Sequence, residues 1–280
     1  MKPVIWQSHL SQRLIDKQGW ALLISTPKGK GYFFDLFQRA KHGDPGYASW
    51  NMPSWTNPLL DKEIIEQERA RLPQRVFDQE YAAQFLEGAG AVFSNVRECA
   101  IGNWKEPEQG QRYWAGLDLA RIGDFTVLVI MDKDRNVVHV DRFNRIDWGA
   151  QVARIEGCVR RYNHAEVWVD ATGVGDPIYE ALRTAGLYVR PYGLSVKTKS
   201  ALINALVLTM EMRLLVLPRP QLWPEGIDEL EAFEYSVSEL GNVRMAAPGG
   251  GHDDCVLALA LAAWDLRPSK AQYPLIIESI

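Results

Sequence analysis

Blocks of apolar positions, separated by turn-forming residues, divide the chain into halves of different rhythm. After a polar, helix-compatible stretch to Gln18, the residues Trp20 to Ile24 form a compact apolar run that stops at Ser25-Thr26-Pro27. A short apolar run closed by turn residues predicts a buried strand. Tyr32 to Arg39 predicts a short helix. The segment from Lys41 to Asn57 is rich in Gly, Pro, Ser, Asn and Trp and predicts an ordered loop around one strand. Two helices follow, Leu59 to Arg71 and Gln74 to Phe85, parted by Pro73. Thr56 or Asn57 can cap the first, with Pro58 in its first turn.

From Gly88 to Gly110 the chain mixes Gly, Pro and charge, as a boundary does, and the pattern then changes. Three strands are predicted in succession, at Tyr113 to Leu119, Thr126 to Asp132 and Val137 to Phe143. Asp134-Arg135-Asn136 turns between the last two. Trp148 to Tyr162 is amphipathic, with Val152, Ile155 and Val159 on one face. Strands at Val167 to Asp170 and Leu187 to Tyr192 alternate with helices at Pro177 to Ala185 and Lys199 to Met212. A hairpin from Phe233 to Val237 and Asn242 to Ala247 turns at Leu240-Gly241, and Asp254 to Leu266 is a long Ala/Leu helix. Three leading strands followed by alternating helix and strand predict an α/β fold, a mixed sheet flanked by helices.

Composition narrows the function classes a little. A hydrophobic fraction of 47% with 24% charged residues describes a globular protein with a substantial core. No run approaches the roughly eighteen apolar residues of a membrane span, and the first residues lack a signal-peptide pattern, so no membrane partner is expected. Cys99, Cys158 and Cys255 are widely spaced and odd in number, which signals neither a disulfide framework nor a zinc site. A reducing, cytoplasmic setting is the default. The net charge of −4 argues against a protein that coats nucleic acid, but not against an enzyme that handles it.

The chemistry concentrates in aspartates. Asp118 sits within Trp114-Ala115-Gly116-Leu117-Asp118-Leu119-Ala120, and Asp170 ends Val167-Trp168-Val169-Asp170. Asp253 and Asp254 follow His252 and open the last helix, while Asp124 lies in the turn after Asp118. An unpaired charge within an apolar strand is costly, and a divalent cation held by several carboxylates removes that cost. Mg²⁺ or Mn²⁺ prefers such oxygen ligands. Two ions about 3.5–4 Å apart can stabilise both the attacking and the leaving oxygen of a phosphodiester. Taken singly, each acid has a plainer reading: Asp170 as a turn cap, Asp254 as a helix-start acid favoured by the dipole, Asp124 as a turn residue. His252 likewise reads as a helix-start polar residue. Asp118 is the hardest of them to explain structurally.

Together these residues resemble a known family, the large terminase subunit of tailed bacteriophages. The resemblance runs from about residue 14 to 266. It is carried by Gly116-Leu117-Asp118-Leu119-Ala120 with Gly123-Asp124-Phe125-Thr126, by Val169-Asp170-Ala171-Thr172-Gly173-Val174-Gly175-Asp176, and by Gly251-His252-Asp253-Asp254. It implies a ribonuclease-H-like fold and two-metal cleavage of concatemeric double-stranded DNA. It also implies Asp118, Asp170 and Asp254 as catalytic ligands, with Asp253 and Asp124 as further metal-site acids. Gly19 to Gly31 looks like that family's strand and Ser25-Thr26-Pro27 coupling motif, which links ATP hydrolysis to DNA movement. Yet no G-x-x-x-x-G-K-[ST] phosphate loop occurs in the sequence, and no apolar strand ending in Asp-Glu precedes Ser25.

The resemblance therefore implies a partial P-loop ATPase remnant at residues 1–88, a linker at 89–111, a ribonuclease-H-like nuclease domain at 112–270 and a tail at 271–280. The chain looks like a C-terminal fragment, a split gene product or a prophage remnant that does not hydrolyse ATP alone. Implied partners are double-stranded DNA, a portal protein, a small terminase subunit and an ATPase half on another chain if the gene is split. The implied location is the bacterial host cytoplasm. Other readings are a different ribonuclease-H-like nuclease, of resolvase or transposase type, or a non-catalytic remnant that binds DNA or a packaging partner. Lys197, Lys199 and Arg244 are the candidate DNA contacts, with Arg142 and Arg145 as further basic side chains.

Overall fold

A computed structural model describes residues 6–15, 18–86, 89–119, 125–170, 177–238 and 243–268. The chain divides into two compact units, one of residues 1–90 and 235–244, the other of residues 91–234 and 245–280.

In the first unit a π-helical turn, α1 (Trp6–Leu10), runs into α2 (Ser11–Ile15). Helices α3 (Tyr32–Lys41), α4 (Lys62–Arg71) and α5 (Gln74–Glu80) follow. Helix α4 starts three residues later than its apolar pattern predicts. The cap is Asp61, whose carboxylate accepts from the Glu63 amide. Asn57 instead accepts from the Leu59 amide, so it shapes the preceding turn. The expected strand between Lys41 and Asn57 is absent among the described residues; a single 3₁₀ turn, Ser54–Thr56, takes its place.

The strand expected at Trp20 to Ile24 does not form either. Trp20 is 80% exposed and Ile24 86% exposed, and no ladder partner adjoins them among the described residues. An apolar run becomes a strand only when neighbouring backbone completes its hydrogen bonds, and propensity alone does not supply that neighbour. Two strands of the hairpin, β7 (Glu234–Val237) and β8 (Val243–Ala246), join β1 (Ala89–Ala91) in a small sheet of order β1-β7-β8. The expected hairpin tip at Leu240-Gly241 lies outside the described residues.

The second unit is built on a five-stranded sheet of order β4-β3-β2-β5-β6. Its strands are β2 (Tyr113–Asp118), β3 (Thr126–Asp132), β4 (Val137–Phe143), β5 (Glu166–Asp170) and β6 (Val189–Tyr192). The first three run antiparallel, and β5 and β6 then add parallel to β2. The α/β mixed sheet expected from the sequence is therefore present.

One face of this sheet carries Ala115, Leu117, Val167 and Val169, packed with Ile155 and Val159 of α7 (Trp148–Arg161) and Ile178 and Leu182 of α8 (Pro177–Thr184). Asp147 caps α7 by accepting from the Ala150 amide. The other face receives α11 (Asp254–Ala263), all ten of whose residues are buried. Helices α9 (Val196–Glu211) and α10 (Pro224–Ala232) pack against α11 in turn.

Gly116 makes that second face possible. A Cβ added there would lie 1.9 Å from the Ala258 carbonyl oxygen and 2.3 Å from the Ala262 amide. The alanine surface of α11 therefore rests directly on the β2 backbone. Residues 91–111, expected as a linker, contribute α6 (Val96–Cys99) and the buried side chains Val92, Phe93, Val96, Cys99 and Ala100.

Candidate active site

Successive side chains of a strand alternate between faces. Leu117 is in register with Val169, and both point into the α7 side of the core. Asp118 and Asp170, one step further along their parallel strands, therefore turn to the opposite face, the one α11 covers. They lie at the carboxyl ends of β2 and β5, at the centre of the sheet. Helix α11 begins beside them, with Asp254 in its first turn.

The electrostatics report the same convergence. Asp118, only 8% exposed, has its carboxyl pushed well above the ordinary range, first by burial and then by the charges of Asp254, Asp170 and Asp253. The Lys199 ammonium opposes this shift. Asp254 is equally buried; its Oδ2 accepts from the Phe125 amide at 3.4 Å and lies 3.5 Å from His252 Nδ1. Asp253 occupies the N-cap position of α11 but makes no side-chain capping bond. Its Oδ2 instead accepts from Lys199 Nζ at 2.8 Å.

Among the described residues, no three His, Cys, Asp or Glu side chains are already gathered as a metal-holding group. The fit of a hard cation rests on the donors themselves. They are all carboxylates, and one of them is a buried acid raised by three others, a charge imbalance that a divalent ion offsets. Asp124 lies outside the described residues.

Glu229, behind the acids, went unread in the sequence, and Arg142, named there only as a basic candidate, stands beside it. Glu229 of α10 accepts from the Cys255 amide at 2.8 Å, which ties the start of α11 in place. Burial raises the Glu229 carboxyl, against the hydrogen bond from Cys255 that lowers it. Arg142, 4.0 Å from Glu229, lies over the Phe125 ring at 3.3 Å from its centroid. A signal for α10 was available in Pro224 at the first helical position, with Ile227 and Leu230 spaced to face a core.

The candidate DNA contacts separate. Lys199 belongs to the acid cluster, Lys197 is exposed within α9, and Arg244 is exposed on β8 in the first unit. Arg145 is exposed after β4, and Arg142 is the half-buried partner of Glu229. In the first unit the Pro27 carbonyl accepts from Gln79, Ser25 Oγ donates to the Thr26 carbonyl, and Lys28 pairs with Glu80.

A mixed sheet of order β4-β3-β2-β5-β6, with acids at the ends of its central parallel strands and on a helix crossing one face, defines a ribonuclease-H-like fold. The sequence profile of the terminase RNaseH-like domain matches residues 115–264. The large terminase subunit of Thermus virus P23-45 is 32% identical over 285 aligned positions, which cover 92% of this chain and 58% of that protein. The solved nuclease of the large terminase from the thermophilic phage G20c, with bound magnesium, is 32% identical. It matches with a TM-score of 0.56 over 61% of this chain and 95% of that one. The solved large terminase of another thermophilic bacteriophage matches 87% of this chain and 61% of its own length, with a TM-score of 0.64. At 11% identity, that last likeness is one of fold alone.

This chain belongs to the large terminase subunit family and carries its ribonuclease-H-like domain. It spans about 58% of the length of the curated relative from Thermus virus P23-45.

Proposed function

We propose that the chain is a metal-dependent endodeoxyribonuclease that cuts concatemeric double-stranded DNA during phage or prophage packaging. The observation that carries this reading is the convergence of Asp118, Asp170 and Asp254 on one end of the sheet. Asp118 and Asp254 are buried there, and the Asp118 carboxyl is raised first by that burial and then by the charges of the other two. The nuclease of phage G20c, solved with bound magnesium and with bound cobalt, supports a divalent metal in this reading. We assign Asp118, Asp170 and Asp254 as principal ligands for two Mg²⁺ or Mn²⁺ ions, with Asp253 and Asp124 as auxiliary acids. Bound there, the ions would activate water and stabilise the charge that develops on the phosphodiester.

The residues' own part is positioning. The parallel register of β2 and β5 fixes the spacing of Asp118 and Asp170, and Glu229 fixes the helix start that bears Asp254. Residues 112–270 form the nuclease domain in this reading, and residues 1–88 the end of an ATPase domain with Ser25-Thr26-Pro27 as its coupling segment. These 280 residues contain no phosphate loop, and if the gene is split the ATPase half is a partner chain. Other partners are DNA, a portal protein and a small terminase subunit, met in the bacterial cytoplasm.

The test is cleavage of supercoiled plasmid by the purified chain. Nicking or linearisation is expected with Mn²⁺ or Mg²⁺, and its loss with Asp118→Ala or Asp170→Ala in protein that retains its circular dichroism spectrum. Cleavage that persists in EDTA, or in both variants, overturns the assignment.

A further inference from the structure

As a DNA contact, Lys199 would face phosphates at the surface, but its ammonium is already engaged. Nζ lies 2.8 Å from Asp253 Oδ2, with the two side chains only 27% and 25% exposed. The lysine is delivered there by a fixed helix start. Ser195 caps α9 through a reciprocal pair with Thr198, and the Lys199 amide donates to the Ser195 carbonyl at 2.8 Å. A phosphate-seeking lysine projects a flexible tip into solvent, whereas this one is paired with Asp253 and acts on the buried Asp118.

Asp253 is the matching half of the arrangement. It stands at the N-cap of α11, yet its side chain caps none of the helix amides. Its carboxylate acts on Asp118 instead, and one of its oxygens is held by the Lys199 ammonium.

We propose that Lys199 is a built-in counter-cation that competes with a divalent metal ion for Asp253, so that full metal loading requires its displacement. The inference rests on the nuclease reading above and deepens it. An ammonium and a divalent cation cannot share a carboxylate oxygen without mutual repulsion. Lys199 thus holds the acids together while metal is scarce and weakens the last step of loading when metal arrives. It acts as a positioning residue, by occupying the oxygen rather than by touching DNA.

The experiment is a Mn²⁺ titration of the full chain, followed by the electron paramagnetic resonance signal of free Mn²⁺ and by calorimetry. Lys199→Met keeps the length of the side chain and removes its charge. It is expected to bind Mn²⁺ roughly two- to fivefold more tightly at the weaker step, the scale of one partly exposed ion pair. Lys199→Arg should stay near the wild type. Unchanged or weaker Mn²⁺ affinity in Lys199→Met overturns the proposal. So does a variant that loses DNA affinity in EDTA while its metal affinity stays fixed, since that is the behaviour of a phosphate contact. If Lys199→Met does not fold, Lys199→Gln is titrated under the same two criteria. A wild type that binds Mn²⁺ no better than Asp118→Asn overturns the metal-site reading as well. Normal wild-type binding with an indifferent Lys199 variant overturns only this inference.

Discussion

Asp118 is costly to the metal-free protein, and that cost has a direction in pH. Its carboxyl is raised in the folded state, chiefly by burial, so the native chain keeps a proton that the unfolded chain releases. The stability associated with that proton is fully present below the unfolded value of about 3.9 and is lost as pH rises through the folded value. Thermal unfolding in EDTA from about pH 4 to 8 should therefore show the wild type losing stability with pH relative to Asp118→Asn, with saturating Mg²⁺ narrowing the difference. A gap between the two proteins that stays constant with pH contradicts this account. Glu229 carries a second residue-level prediction. Glu229→Ala removes the acceptor of the Cys255 amide and should lower stability by about 1–3 kcal/mol, with Glu229→Gln losing less because an acceptor remains. Chemical denaturation of the two variants measures this. Asp118 stood out in the sequence because a charge inside an apolar strand needs an explanation. Glu229 did not, and Arg142 was legible only as a basic side chain, because each reaches the acids through another element, and spacing along the chain carries no trace of such contacts.

Among the elements, those with the clearest period were legible. Strands β2 to β4 and helices α7 and α11 occur close to the predicted bounds, since each buries its own apolar pattern within one sheet. The apolar run from Trp20 to Ile24 failed for the complementary reason, as its hydrophobicity was visible but the backbone needed to pair with it was not. Its amides, from Trp20 to Ser25, should exchange with solvent within the fastest class, while those of β2 persist. Hydrogen exchange read by mass spectrometry distinguishes the two, and slow exchange at 20–25 would show a pairing absent from this fold. The seating of α11 on β2 depends on Gly116. Gly116→Val forces the helix off the strand and should cost at least the roughly 1–3 kcal/mol typical of overpacking. It should also remove Mn²⁺ binding, because Asp254 moves with the helix. A folded Gly116→Val protein with wild-type Mn²⁺ affinity would show that the contact does not hold the acids in place.

At the scale of the whole molecule, the two halves of the sequence differ in how completely they are covered. The sheet-based unit seats helices on both faces of its sheet, whereas the first unit leaves Trp20, Leu22, Ile24, Trp50, Met52 and Leu59 exposed close together in the sequence. The purified chain is expected to show no ATP hydrolysis above a no-protein control, because no phosphate loop is present in its sequence. Turnover that withstands repeated purification would contradict that expectation. The packing of α11 also bears on synthesis. The two strand acids emerge from the ribosome well before residues 254–263, the helix that covers their face of the sheet and supplies the next carboxylate. Until that helix lands on Gly116, the strands present a bare backbone surface and an incomplete set of charges. On the nuclease reading, the order of translation sets the order of assembly: the acid site is complete only after residues 254–263 have been made and have docked on the sheet.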